Sequence, residues 1–267
     1  MNRSPRRTIR LLGAALFVAA IVRGADHDLP AAWQALSIGA YEDAAAGFAR
    51  APYERNAQLG AAITLINQAP VTPSSLEHAR DRLVTLATGN DEVAHAARYF
   101  LGRLQQLHPI SPDAAAAALE YETLIATNSD DTWSRLALIK LAILRLTVLA
   151  PAGDAAIRFA SAEQLLSRTN DTITQRDLHL IIAEARLNRR VYDAATLNHL
   201  RAALSVTPAS DALRVDLLVQ IGRLATKLGD HETARAHYAE FLKDFPKERR
   251  YYTVQSALEH LDGPFPP

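Results

Sequence analysis

Between Val215 and Pro246 the chain reads VDLLVQIGRLATKLGDHETARAHYAEFLKDFP, two amphipathic runs hinged at Leu228-Gly229-Asp230. In the first run Leu217, Leu218, Ile221, Leu224 and Leu228 recur at helical spacing; in the second, Ala234, Tyr238, Phe241, Leu242 and Phe245 do the same. Gly222 and Ala234 are small residues placed where two antiparallel helices would touch. Pro246 ends the second run, because proline lacks a backbone donor and its ring clashes with the preceding turn. One such pair cannot bury both of its apolar faces, so it needs neighbours of the same kind.

The pattern resembles a tetratricopeptide repeat (TPR), whose motif runs W-x2-L-G-x2-Y, then A-x3-F, then P. Ile221-Gly222 stands at the Leu-Gly pair, Ala234 and Tyr238 at the alanine and the aromatic, and Pro246 at the closing proline. Leu218 replaces the tryptophan and Ala225 the tyrosine. The resemblance implies an all-α fold, a right-handed α-solenoid of about six helix-turn-helix repeats with a C-terminal capping helix.

Fainter copies recur along the chain. Trp33, Gly39, Tyr41, Ala44 and Phe48 form a first, and Leu59-Gly60 opens a second with Ala79, Leu83 and Leu86 in its partner helix. Ser74 and Glu77 have capping-box spacing before that helix, and Gly89 is placed to end it. Leu101-Gly102 opens a third, with Ser111-Pro112 as N-cap and first helical residue, then Ala117, Tyr121 and Leu124. Trp133 and Leu136-Ala137 open a fourth, and Ile182-Ala183, Tyr192 and Ala195 form a fifth. The Leu-Gly positions 60, 102, 137, 183 and 222 are 42, 35, 46 and 39 residues apart, against a family period of about 34. Some units therefore carry longer turns or helices. The repeat domain is expected over 29–246, a capping helix with a Tyr251, Val254, Leu258, Leu261 stripe over 247–261, and a disordered tail over 262–267. The run Trp133 to Leu149 is apolar nearly all round, as an interior helix must be.

The start differs from the rest. Arg3, Arg6, Arg7 and Arg10 precede an apolar run from Leu11 to Val22, 12 residues long, against the roughly 20 that cross a bilayer. This reads as a secretory signal peptide over 1–24, with an uncleaved membrane anchor as the competing reading. The expected location is periplasmic or secreted, with no stable membrane span after cleavage. Removing the signal takes five arginines and leaves 24 basic against 29 acidic residues. A mildly acidic body does not suit nucleic acid, which calls for a dominant basic face. There is no cysteine, hence no disulfide framework and no thiolate metal site. Cleavage after Gly24 would expose Ala25-Asp26-His27, a terminus able to hold Cu(II) or Ni(II) through nitrogens; an incidental terminus is the plainer reading.

No glycine-rich phosphate loop, G-x-S-x-G elbow or H-E-x-x-H pair occurs. His231-Glu232 begins the last, but Arg235 stands where the second histidine would be; His231 is expected in the turn and Glu232 in the first helical turn. His95, His179 and His199 fall within helical runs and read as exposed or hydrogen-bonded packing residues. Asp130-Asp131 and Asn170-Asp171 precede helices, where N-capping accounts for them. No catalytic residue, cofactor or metal is expected.

Two function classes follow: an adaptor that binds a protein or peptide in a concave groove, with self-association as a variant, or an enzyme or ligand-binding protein built on a helical solenoid. In the TPR family the groove is lined by the first helix of each pair. Carried over, this places Tyr99, Arg103 and Gln106 of the third unit on the wall, with Arg135 and Leu138 of the fourth. Asp177 and Glu184 of the fifth and Arg223 and Lys227 of the sixth complete the set. Its arginines could fork carboxylates while Tyr99 and Leu138 serve as apolar anchors.

Overall fold

The computed structural model describes residues 29–107, 112–127, 130–149, 155–208 and 212–262. The expected signal peptide, the Ala25-Asp26-His27 start, Ser111 and residues 263–267 of the expected tail lie outside them. All regular structure among the described residues is helical, and the chain divides into two compact units, Met1–Thr127 and Asn128–Pro267.

The first unit holds α1 (Leu29–Ser37), α2 (Tyr41–Phe48), α3 (Arg55–Asn67), α4 (Pro73–Leu86), α5 (Glu92–Leu107) and α6 (Ala114–Ala126). The pairs α1–α2, α3–α4 and α5–α6 each pack as hairpins, and α2 and α4 also touch the first helix of the pair that follows. The first helices α1, α3 and α5 lie side by side. This is the packing of a helical-repeat stack, in which each pair covers the apolar face its neighbour leaves open.

The second unit holds α7 (Thr132–Thr147), α8 (Ala155–Glu163) running into a 3-10 helix (Gln164–Arg168), α9 (Thr172–Asn188) and α10 (Ala194–Ser205). It continues with α11 (Ala212–Leu228), α12 (His231–Asp244) and α13 (Tyr251–Asp262). The fourth pair is irregular: its second helix is short and breaks into 3-10 geometry, and α7 packs on both α8 and α9. Of the α7 residues, only Thr132 and Thr147 at its ends are exposed, as expected of an interior helix. Leu217, Leu218, Ile221, Leu224, Tyr238 and Phe241 form the core of the α11–α12 pair.

Helix starts are set by aspartates. Asp131, Asp171, Asp193 and Asp230 each accept the amide three residues on, at 2.8–3.1 Å, and Asp113 accepts two amides at 3.0 and 2.9 Å. Two expected caps move. The box before α4 uses Thr72 and Ser75, each side chain accepting the other's amide, not Ser74 and Glu77. Pro73, with no amide to satisfy, takes the first helical position and holds Thr72 extended as the cap. Before α6, Asp113 is the cap and Pro112 lies outside the helix, a carboxylate being the stronger acceptor. His231 is the first residue of α12, not part of the turn, since Asp230 caps it.

The capping helix begins at Tyr251, four residues later than expected, because Glu248 takes the amide of Arg250 and closes a local turn. Arg250 then reaches Asp216 on α11 at 2.7 Å, and Val254 is buried with Leu258 and Leu261 packed on the same core. Asp262 belongs to this helix and not to the tail.

The close approach at Gly222 also differs from expectation. Ala234 is buried, but the group lying on Gly222 is Tyr238: a Cβ there would stand 2.2 Å from its Cε1. Gly102 receives Tyr121 of its own pair in the same way, with Cε1 at 2.5 Å. Gly60 does not follow them. It receives Phe48 from α2, the pair before its own, with Cζ at 2.2 Å.

Candidate functional site

Three members of the expected groove set, Tyr99, Arg103 and Gln106, come together on α5, but around Tyr121 of α6. Tyr99 is 5% exposed, with its ring 6.0 Å from that of Tyr121. The Tyr121 hydroxyl donates to Gln106 Oε1 at 3.3 Å. Burial pushes both phenols up, and Arg103 beside them opposes the shift. Arg103 is half-buried, and its Nε is enclosed without an acceptor. The cluster is a polar seam inside the α5–α6 hairpin.

In the second unit Arg135 bridges Asp130 at 3.0 Å and the α9 cap Asp171 at 3.3 Å. Asp177 pairs with its neighbour Arg176 at 2.8 Å. Glu184 is half-buried, and burial raises its carboxyl. Lys227 rests its amine 3.3 Å from the centroid of the Tyr192 ring, a cation–π contact, while Arg223 is exposed. Leu138 is 2% exposed. Tyr99 and Leu138 are therefore core residues and not apolar anchors on a wall. Tyr99 is covered by Tyr121 of the next helix, which motif spacing cannot reveal.

The open apolar feature of the first unit lies elsewhere. A cleft of about 720 Å³ runs over α3 between α2 and α4. Its floor is Ala57, Ala61 and Leu65, one residue per helical turn, with Gln58, Thr64 and Gln68 beside them. Ala45, Phe48, Ala49 and Pro52 form the α2 wall, and Asp81, Arg82 and Thr85 the α4 wall. The alanines create the space, since each leaves a gap where a longer side chain would bridge the helices. Gln58 Nε2 is held by the Pro52 carbonyl at 2.8 Å, and Asp81 accepts from Arg80 at 3.2 Å. Arg82 is exposed and makes no contact with another charged group among the described residues. In the sequence this surface has one sign, the small-residue spacing of Ala57 and Ala61 between larger apolar neighbours.

A second polar concentration lies in the second unit. Arg186, 8% exposed, donates to Asp193 at 2.7 Å, to Thr196 Oγ1 at 3.0 Å and to Glu163 at 3.4 Å. Its guanidinium also covers the Phe159 ring at 4.5 Å. One side chain thus fastens α8, α9 and the start of α10. Among the described residues no group of three or more His, Asp or Glu is arranged to hold a metal ion. None of the described helices is long and apolar enough to cross a membrane.

No family model matches the sequence, and no curated protein matches it. Among solved structures the chain is similar to the assembly chaperone of RpL4 (Acl4), residues 1–338, with a TM-score of 0.45 and 14% identity. The alignment covers 88% of this chain and 96% of that one. A likeness this loose carries nothing about function.

Proposed function

We propose that this chain is a non-enzymatic scaffold of the TPR type that binds a protein or peptide, and that its first unit does so in the cleft over α3. The observation that carries the reading is the cleft itself, an open apolar trough with an unengaged cation on its rim. Phe48 and Leu65 supply apolar surface, the four alanines leave depth, and Arg82 can fork a carboxylate of the bound segment. This is the layout by which helical grooves take amphipathic or extended segments. In the second unit the exposed Arg223 remains the member of the groove set best placed to meet a ligand. The basic and apolar start is read as an export signal, which puts the protein in the periplasm or outside the cell.

The test is a photocrosslinking amino acid at Ala61, with a control at exposed Arg80. A partner that couples at Ala61 and not at Arg80, and whose binding Ala61→Trp abolishes without lowering Tm, supports the reading. Undiminished binding to Ala61→Trp overturns it. Export is checked separately by N-terminal sequencing of protein recovered from cells; an intact Met1 in a soluble cytosolic fraction would rule it out.

A further inference from the structure

We propose that His179 and His199 form an acid switch on the α9–α10 hairpin, a pair that accepts one proton in place and a second only by coming apart. The two rings meet through Nδ1 atoms 2.8 Å apart, and His199 Nε2 lies 3.3 Å from Glu163 Oε1. A hydrogen bond needs one donor and one acceptor, so only one of the two Nδ1 atoms carries hydrogen. The Glu163 carboxylate can only accept, which puts the His199 hydrogen on Nε2. His199 Nδ1 is then the acceptor, and His179 Nδ1 the donor.

This assignment fixes where protons go. The first enters at His179 Nε2, away from the contact, and the line of hydrogen bonds to Glu163 is left intact, because the single Nδ1 hydrogen can pass to His199, where Glu163 and Asp193 favour the charge. The second has only the remaining bare Nδ1 to occupy. It would set two N–H groups against each other at 2.8 Å, with a positive charge on each ring. That arrangement cannot hold, and the rings, one on each helix of the hairpin, must separate.

The charges around the pair come from all sides. α8 brings Glu163, α9 brings Arg186, and Asp193 caps α10; Glu163 and Asp193 favour a charged His199, whereas Arg186 opposes it. The packed neighbours α7, the 3-10 helix and α11 carry Arg135, Lys140, Arg145, Arg168, Arg214, Asp216, Arg223 and Lys227, none of which is among the causes that move either ring. Burial lowers both histidines below the ordinary 6.5, and the pair itself lowers His179 further. The sign follows: between 6.5 and the lowered values the unfolded chain binds more protons than the folded one, so acidification costs stability. Because the two sites share one contact, they titrate as a pair.

The experiment is nitrogen-15 NMR of the histidine side chains in the full chain across a pH titration. At neutral pH, His199 should carry hydrogen on Nε2 and His179 on Nδ1; the opposite tautomers would overturn the proposal. In His179→Gln, a protonated His199 no longer meets a second N–H, so its midpoint should move upward. A midpoint unchanged from the wild type would mean that burial alone sets it, and would sink the switch. Should that variant not fold, wild-type hydrogen exchange decides. Protection in α9 and α10, corrected for intrinsic rates, should fall on acidification ahead of that in α11 and α12, and a uniform loss would refute the idea.

Discussion

Substituting Gly222 by alanine sets two effects of opposite sign against each other. In an exposed helix interior Gly→Ala stabilises by about 0.5–1 kcal/mol, through the unfolded chain's lost freedom. At Gly222 the new Cβ would stand 2.2, 2.6 and 2.8 Å from Cε1, Cδ1 and Cζ of Tyr238. Ordinary contact begins at 3.4 Å, so the ring must retreat by over an ångström. Tyr238 is 2% exposed and has no open side to move into. Overpacking of this kind costs about 1–3 kcal/mol, here near the upper end. The net loss is about 2 kcal/mol, which for a unit of this size is about 4–8 °C in Tm. The two tryptophans, Trp33 and Trp133, fall one in each unit, so in a Trp33→Phe background Trp133 fluorescence reports the second unit alone. In a Tyr238→Leu background the same glycine substitution should become neutral or stabilising. A Tm that rises in the wild-type background, or an equal loss with and without the ring, would refute the close approach.

Asp131→Ala removes the acceptor for the Ser134 amide at the start of α7 and should cost about 1 kcal/mol in chemical denaturation, with m unchanged. Gly229 has φ +76° in the turn between α11 and α12, so Gly229→Ala should cost about 1–2 kcal/mol although no atom lies near its Cβ; Gly229→Asn should recover part of it. The Thr174 hydroxyl, its amide and Arg135 hold the Asp171 carboxyl below its ordinary 3.8. The stability it lends is therefore fully present above 3.8 and is lost as pH falls through the lowered value, and Asp171→Asn should flatten that part of the acid-unfolding curve.

The helix pairs were legible because periodicity and breakers act locally. Pro246 ends α12 after Asp244, and from Trp133 to Leu146 no residue of the apolar run is exposed, although Thr147 and Val148 at its end are. What was not legible depends on which neighbour covers a helix. Tyr99 and Leu138 stand at motif positions that face a groove in the family, yet here both are buried, Tyr99 against Tyr121 of α6. Gly60 sits in a Leu-Gly pair like Gly102, yet seats a ring from the preceding pair and not from its own. His179 and His199 are 20 residues apart on different helices, and nothing in their spacing announces that a hairpin brings them to hydrogen-bonding distance. The α3 cleft was missed for a related reason: alanines at 57 and 61 read as ordinary helix formers until the helices on both sides are in place.

The exceptional seat at Gly60 ties stability to the cleft. Phe48 points its ring tip at Gly60, with Cζ at 2.2 Å and both Cε atoms within 2.6 Å of an added Cβ. Behind the ring, Trp33 packs edge-on at a centroid distance of 5.1 Å. The cleft that Phe48 itself lines is where the ring has room to shift, so a methyl at position 60 should narrow the cleft proposed for the partner. Gly102→Ala displaces Tyr121 by a similar contact of 2.5 Å, but in the α5–α6 seam, where no cleft residue lies. Both variants should lose stability by about 1–3 kcal/mol. Only Gly60→Ala should also weaken the partner that crosslinks at Ala61, by about tenfold or more, a loss of about 1.4 kcal/mol or greater in binding. Calorimetry on the two variants, at a temperature where both are folded, separates the effects. Equal weakening by both would mean that binding senses overall stability and not the shape of the cleft over α3.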